Sequence, residues 1–283
     1  MPEHNHLPNF LIVGAAKAGT TALYHYLQQH PQIFLTPLKE TNYFALAGKH
    51  LDFRGPGDAD YVNQLSVTTS EAYRAQFDGV RNEVAIGEVS PLYLYHPEAA
   101  SRIHSVIPEV KIIAVLRNPI ERAFSAFLHL LRDGRETTRD FAEALDLEAE
   151  RIAANWEHIW HYLNMGRYHE QVKRYYDLFP PEQIKIDIYR DLRTRPLEVL
   201  RDNLEFVGVD TDFVFDTRQR YNEASLPIEL RPHLYPEIRE RLIEEMRDEI
   251  LRLQDLIGID VSHWLALNPH ASALVTTEGR GLT

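Results

Sequence analysis

The sequence contains no cysteine, so it offers no disulfide framework, no thiolate nucleophile and no cysteine-ligated zinc site. That absence fits a reducing, cytoplasmic setting. No run approaches the about 18 consecutive apolar residues that a membrane-spanning helix needs. The first ten residues, MPEHNHLPNF, lack the basic stretch and apolar core of a signal peptide, which predicts a soluble protein. Basic residues are the minority charge: 30 Lys and Arg stand against 42 Asp and Glu, a formal net charge of -12. This balance argues against general binding to nucleic acid, membrane surface or another polyanion, although a local basic pocket is compatible with it.

What is present is a chain of 283 residues, 44% hydrophobic and 25% charged, long enough to bury a full core. Residues 1–283 are expected to form one domain. The stretch FLIVGAAKAGTTALYHYLQQHP reads as a buried strand from Phe10 to Gly14, a small-residue loop, and a helix from Thr20 to His30 stopped by Pro31. A strand feeding a loop and a helix start aims backbone N–H groups at one point, which suits an anion. The spelling is not that of a Walker A loop, which places its lysine after the second glycine. Here Lys17 precedes Gly19. An anion site is predicted, and an ordinary ATP or GTP site is not.

The same grammar recurs at VKIIAVLRNPIERAFSAF, where a strand from Lys111 to Leu116 leads through a proline-bearing turn into a helix. Further short strands are predicted at 32–35, 84–87 and 184–189, with a long polar and aromatic loop between the first two and a long carboxyl-terminal helical region interrupted at Pro236. Repeated strand–turn–helix units predict a three-layer, P-loop-like α/β domain, a central parallel sheet flanked by helices. The long terminal helices have two packing options, their own domain or a second copy of the chain. At the carboxyl ends of such a sheet, Lys17 and Arg117 would stand side by side, with Ser125 two turns into the second helix and Arg122 between them. A nucleotide carrying two separate anionic groups would suit that pair of turns.

These residues resemble those of the 3′-phosphoadenylyl sulfate (PAPS)-dependent sulfotransferases. VGAAKAGTTALYHYL is similar to the 5′-phosphosulfate loop of that family, and VLRNPIERAFSAF to its 3′-phosphate motif. GEVSPLYLYHP, FPPEQIKIDIYRDLRTRP and LIGIDVSHW follow in the family's order and look like segments of bacterial and glycan-modifying members. The resemblance implies PAPS as donor, adenosine 3′,5′-bisphosphate as product, and no required metal. It puts Ala16, Lys17, Ala18, Gly19, Thr20 and Thr21 on the 5′-phosphosulfate, with Lys17 at the sulfate and bridging oxygen. Arg117 and Ser125 fall on the 3′-phosphate, and Arg220, in the place of a nucleotide-covering loop, adds a further contact. Glu40, in KETNYFA, matches the family's catalytic base; walled by Tyr43 and Phe44, its carboxyl is expected to have a raised pKa. His129 ranks below it.

The sequence departs from the family at Val89, where glycan-modifying relatives often carry a second lysine, and Lys39 is not assumed to replace it. Glu88 is expected either to hold the acceptor or to orient Lys17. His158 and His161 lack an H-E-x-x-H context and read as wall or interface residues rather than metal ligands. Core packing is the expectation for most of Tyr43, Phe44, Tyr93, Tyr95, Trp156 and Trp160. The acceptor is expected to be a sugar, lipid or secondary-metabolite hydroxyl. Competing readings are a divergent nucleotide kinase, which would need Mg-ATP, and a nucleotide-binding regulatory module that transfers nothing.

Overall fold

The computed structural model describes residues 6–219, 221 and 232–267. Five strands, β1 (Phe10–Gly14), β2 (Ile33–Leu35), β3 (Ala85–Val89), β4 (Lys111–Leu116) and β5 (Ile184–Ile188), form one sheet in the order β2-β3-β1-β4-β5. Every pairing is parallel. Parallel neighbours cannot be joined by a tight hairpin, so each connection crosses over the sheet and brings helices onto its faces. The central strand β1 is buried along its whole length, which explains why FLIVG is a continuous apolar run with no polar alternation.

Helix α1 (Thr20–Leu27) follows β1, and α2 (Tyr43–Leu46), α3 (Val62–Leu65) and α4 (Ser70–Ala75) are short pieces between β2 and β3. Between β3 and β4 lie α5 (Leu92–Tyr95) and α6 (Ala99–Val106); α7 (Pro119–Arg132), α8 (Phe141–Asp146), α9 (Glu148–Ala153) and α10 (Tyr168–Tyr176) separate β4 from β5. After β5 come α11 (Tyr189–Thr194), α12 (Pro196–Val207) and α13 (Pro236–Ile257). The sheet flanked by helices is the three-layer α/β architecture expected from the sequence. Pro236 opens α13 at its first turn, where a missing N–H costs nothing, and the part of the expected helical region before residue 232 lies outside the described residues.

Each strand of the site is locked to the next by register. Phe10 of β1 faces Gly87 of β3 on one side and Lys111 of β4 on the other, and the β1–β4 register shifts between Ile12 and Gly14. Gly87 lets the Phe10 ring lie across β3, because a Cβ there would come within 2.1 Å of it. The carboxyl ends of β1, β3 and β4 therefore converge on one edge. Among the described residues no helix is long and apolar enough to cross a membrane.

Candidate active site

The loop from Ala15 to Gly19 turns the chain at this edge. Gly19 has φ 95°, and a Cβ on it would lie 3.0 Å from the Tyr189 ring, so both backbone conformation and crowding call for glycine. Lys17 holds φ 66°, a left-handed conformation that costs a lysine on the order of 1 kcal/mol. Strain of this kind collects at ligand clamps. Helix α1 has no side-chain cap, which leaves its opening N–H groups without an intrahelical acceptor and its positive end toward the loop.

A cavity of about 660 Å³ opens here, and Ala16, Lys17, Gly19, Thr20, Thr21, Glu40, Arg117, Ser125 and His129 all line it. Ala18 points the other way and is fully buried. Arg220 lies outside the described residues.

Burial pulls the Lys17 ammonium down to about 8, helped by the positive charge of Arg132 and opposed by Glu40 and Asp133. Arg117 reaches across from the end of β4: its Nη1 donates to the Lys17 carbonyl at 3.2 Å, and its guanidinium lies 4.6 Å over the Tyr189 ring. Its buried Nε makes no hydrogen bond, and the nearest carboxylate, Glu121, stands 3.7 Å away. Arg117 itself lines the cavity, so its guanidinium, held by one carbonyl and one ring, offers positive charge to an incoming anion. Asn118 positions Arg117 by capping α7, where its Oδ1 accepts from the N–H groups of Ile120 and Glu121. Arg122 takes no part in the cavity; it is fully buried and donates to the Tyr162 carbonyl.

Glu40 is fixed from behind by β3. Its N–H donates to the Val89 carbonyl at 2.8 Å, the Thr41 hydroxyl donates to Glu88, and the Asn42 N–H donates to Ser90 Oγ at 3.1 Å. Glu88 neither meets an acceptor nor orients Lys17. It is fully buried and collects hydroxyls from Thr41, Ser90, Tyr93 and Tyr73, the last three at 2.7 Å. Burial raises its pKa despite those four donors. Val89 is likewise buried and offers the site only its carbonyl.

The expectation of a raised Glu40 pKa is overturned. Burial does push it up, but the Lys39 ammonium bonded to Oε1, with Lys17 and His129 nearby, outweighs burial and holds the carboxyl below its ordinary value. The expected aromatic wall is absent because Tyr43 stacks on Tyr73 at 4.2 Å and Phe44 is buried in the core. Half of the Glu40 side chain, 49%, stays accessible in the cavity. His129 is pulled down to about 4 by burial and by the Lys17 charge, and its Nδ1 lies 2.6 Å from Arg132 Nη2. An imidazole so placed is neutral at neutral pH and, like Glu40, has lost proton affinity to its cationic surroundings.

His158 and His161 sit in and beside a single 3₁₀ turn, packed with Tyr95 and His96; among the described residues no group of three or more potential ligands could hold a metal ion. Tyr93 and Trp160 are core residues, as the packing expectation has it. Sequence reading missed Tyr189, Arg193, Tyr61, Arg135 and Glu157, which line the same cavity. Tyr189 was within reach, since it directly follows β5 at the edge where parallel sheets bind ligands. Arg193 comes from α11, and Tyr61, Arg135 and Glu157 carry no local motif and arrive from loops.

Comparison with known proteins agrees with this geometry. A crystal structure of a sulfotransferase from Alicyclobacillus acidocaldarius is 42% identical, covers 92% of this chain and all of its own, and superposes with a TM-score of 0.84. A mouse sulfotransferase, SULT7A1, complexed with PAP shares the fold at 14% identity and TM-score 0.52, covering 89% of this chain and 86% of its own. The human bifunctional heparan sulfate N-deacetylase/N-sulfotransferase 3 is 27% identical over 208 residues, 72% of this chain and 22% of that protein. The chain thus spans about a fifth to a quarter of the length of the curated relatives it matches. Residues 8–213 match the sulfotransferase family as a whole, and the chain belongs to that family.

Proposed function

We propose that the chain moves a sulfuryl group from PAPS to an acceptor hydroxyl in one in-line displacement. The observation that carries this reading is the meeting of a lysine-bearing strand–helix loop, a second cationic turn and an ionised carboxylate in one cavity. The loop N–H groups with Thr20 and Thr21 hold the 5′-phosphate, Lys17 faces the sulfate and the bridging oxygen, and Arg117 with Ser125 holds the 3′-phosphate. Ala16 and Gly19 shape the loop surface, while Ala18 anchors it from beneath. The acceptor oxygen forms the new bond to sulfur as the bond from sulfur to the phosphate oxygen breaks. The electron pair of that bond leaves with adenosine 3′,5′-bisphosphate, and the hydroxyl proton passes to Glu40. Lys17 stabilises the charge that grows on the leaving oxygen, the kind of positioned electrostatic help that dominates such transfers.

Glu40 is ionised at neutral pH, but its lowered pKa makes it a weaker base than an ordinary carboxylate, so its part in proton removal rests on its position in the cavity. The nucleotide complex of the mouse neighbour and the family match support PAPS as donor. Calorimetric titration with adenosine 3′,5′-bisphosphate, adenosine 5′-monophosphate and Mg-ATP tests the reading. Tight binding of the bisphosphate alone is expected; preference for Mg-ATP, or no binding, would overturn it.

A further inference from the structure

The cavity has two chemically different halves. On the side of α11, Lys17, Arg117 and Arg193 provide cations beside Tyr189. Beyond Glu40 the lining carries Leu38, Tyr61, Val62, Leu65 and Ile159 beside the polar Asn42 and Ser66, and Tyr61 and Leu65 are 48% and 55% exposed. Charge on this second side is arranged against anions. Its two cations are both committed, Lys39 to Glu40 and Arg135 to a carboxylate pair.

Arg135 is buried, donates Nε to the Pro56 carbonyl at 2.6 Å, and shares Nη2 between Asp58 and Glu157, the latter at 3.0 Å. Asp58 is fully buried and also accepts from the N–H groups of Gly55 at 2.7 Å and Glu157 at 2.8 Å, and from Trp160 Nε1 at 3.3 Å. Two carboxylates thus answer one guanidinium. Glu157 lines the cavity, and among the described residues Arg135 is the sole hydrogen-bond partner of its carboxylate, on Oε2. Oε1 is open to a donor.

We infer that this half of the cavity takes an uncharged alcohol with an apolar body, laid along Tyr61 and Leu65 with a hydroxyl toward Glu40, and that Glu157 bars anionic acceptors such as sulfated glycans. The inference rests on the sulfuryl-transfer reading above and narrows its acceptor. Burial raises the Glu157 carboxyl to about 7 against the pull of Arg135, so above that pH a sulfate or carboxylate entering here loses water, meets a charged Glu157 backed by Asp58, and finds no uncommitted cation to repay the loss. A neutral hydroxyl can instead donate to Oε1 of Glu157 while its apolar part covers the exposed rings and side chains. Selectivity of this form comes from repulsion of the wrong ligand as much as from attraction of the right one. It separates this chain from what the names of its heparan sulfate relatives would suggest for an acceptor.

The test uses the full chain saturated with adenosine 3′,5′-bisphosphate and titrated calorimetrically with two probes. One is octyl β-D-glucoside below its micelle-forming concentration; the other is a sulfated heparin disaccharide. The glucoside is expected to bind at least about tenfold more tightly, a gap of one decade or about 1.4 kcal/mol. Glu157→Gln should narrow that gap several-fold by strengthening the disaccharide, with the glucoside little changed. Equal or tighter binding of the disaccharide by the unmodified chain overturns the inference, as does failure of the glucoside to bind. If Glu157→Gln does not fold, the unmodified chain decides by itself. Absence of bisphosphate binding would instead remove the transfer reading beneath it.

Discussion

Lys17 shows how one residue serves function against its own comfort. Its ammonium is desolvated, in a left-handed backbone, with its pKa at about 8. A depressed lysine pKa means the charge destabilises the fold at every pH below about 8, less between 8 and 10.5, and not at all above. Lys17→Met should therefore raise the melting temperature at pH 7 and lose that gain by pH 10.5, while transfer falls about 1,000-fold. In the unmodified chain, turnover should decline as pH rises through about 8, because the needed cation is then lost. Glu40→Gln should lower kcat by about 100-fold and leave bisphosphate affinity unchanged in the same calorimetric assay. Arg117→Ala should weaken the bisphosphate by about tenfold or more yet barely affect the 5′-monophosphate; equal losses for both would contradict its assignment. Lys17, Thr20, Thr21, Arg117 and Ser125 were legible because each sits at a fixed offset from a strand end, whereas Glu40 was legible only through the resemblance of KETNYFA to the family's base. Sequence reading misjudged the Glu40 environment because Tyr43 and Phe44 turn away while the adjacent Lys39 folds back onto its carboxylate, with Lys17 and His129 adding charge from other elements.

At the scale of elements, α7 depends on a single side chain at its start. Asn118 accepts from two backbone N–H groups of the helix and donates Nδ2 to the Trp264 carbonyl at 3.0 Å, tying the helix to the chain beyond α13. Asn118→Ala should cost about 1–2 kcal/mol, read as a lower urea midpoint, and should weaken bisphosphate binding through Arg117, just before the cap, and Ser125 on the helix. Strands and long helices were legible because their periodicity and caps are local. The polar segment between β2 and β3 was legible only as a long loop with short elements: these are α2, α3 and α4, each too short to leave a periodic signature, held by buried polar contacts such as Thr41 and Tyr73 on Glu88. Pro236 was legible as a break in the helical region, since a proline marks a helix start as readily as a helix end.

For the molecule as a whole, acid is the predicted weakness. Burial holds His96 and His161 down to about 4 and His158 to about 3, while unfolded histidine titrates near 6.5. Protons bind only the unfolded chain between those values, so stability is full above about pH 6.5 and falls as pH drops toward 4, by up to about 1.4 kcal/mol per pH unit for each histidine. Melting temperatures at pH 7, 6 and 5 should show this decline. His158→Phe should flatten it, and an unchanged slope would assign the titration elsewhere. The histidine cluster was invisible in the sequence, where His96 stands far from the other two. The parallel sheet was visible, because strand–turn–helix units admit few other arrangements.

One consequence of the Glu88 hub concerns how such a protein can change over time. The carboxylate and the Val89 carbonyl fasten Glu40 and Thr41 to the sheet independently of residues 52–66. That cassette, which carries Tyr61 and Leu65, is pinned separately, by the buried Asp58 to Arg135 and Trp160. Exchanging the cassette among relatives would hand the same donor chemistry to new acceptors, so diversity in this lineage should concentrate in one loop while its anchor stays fixed.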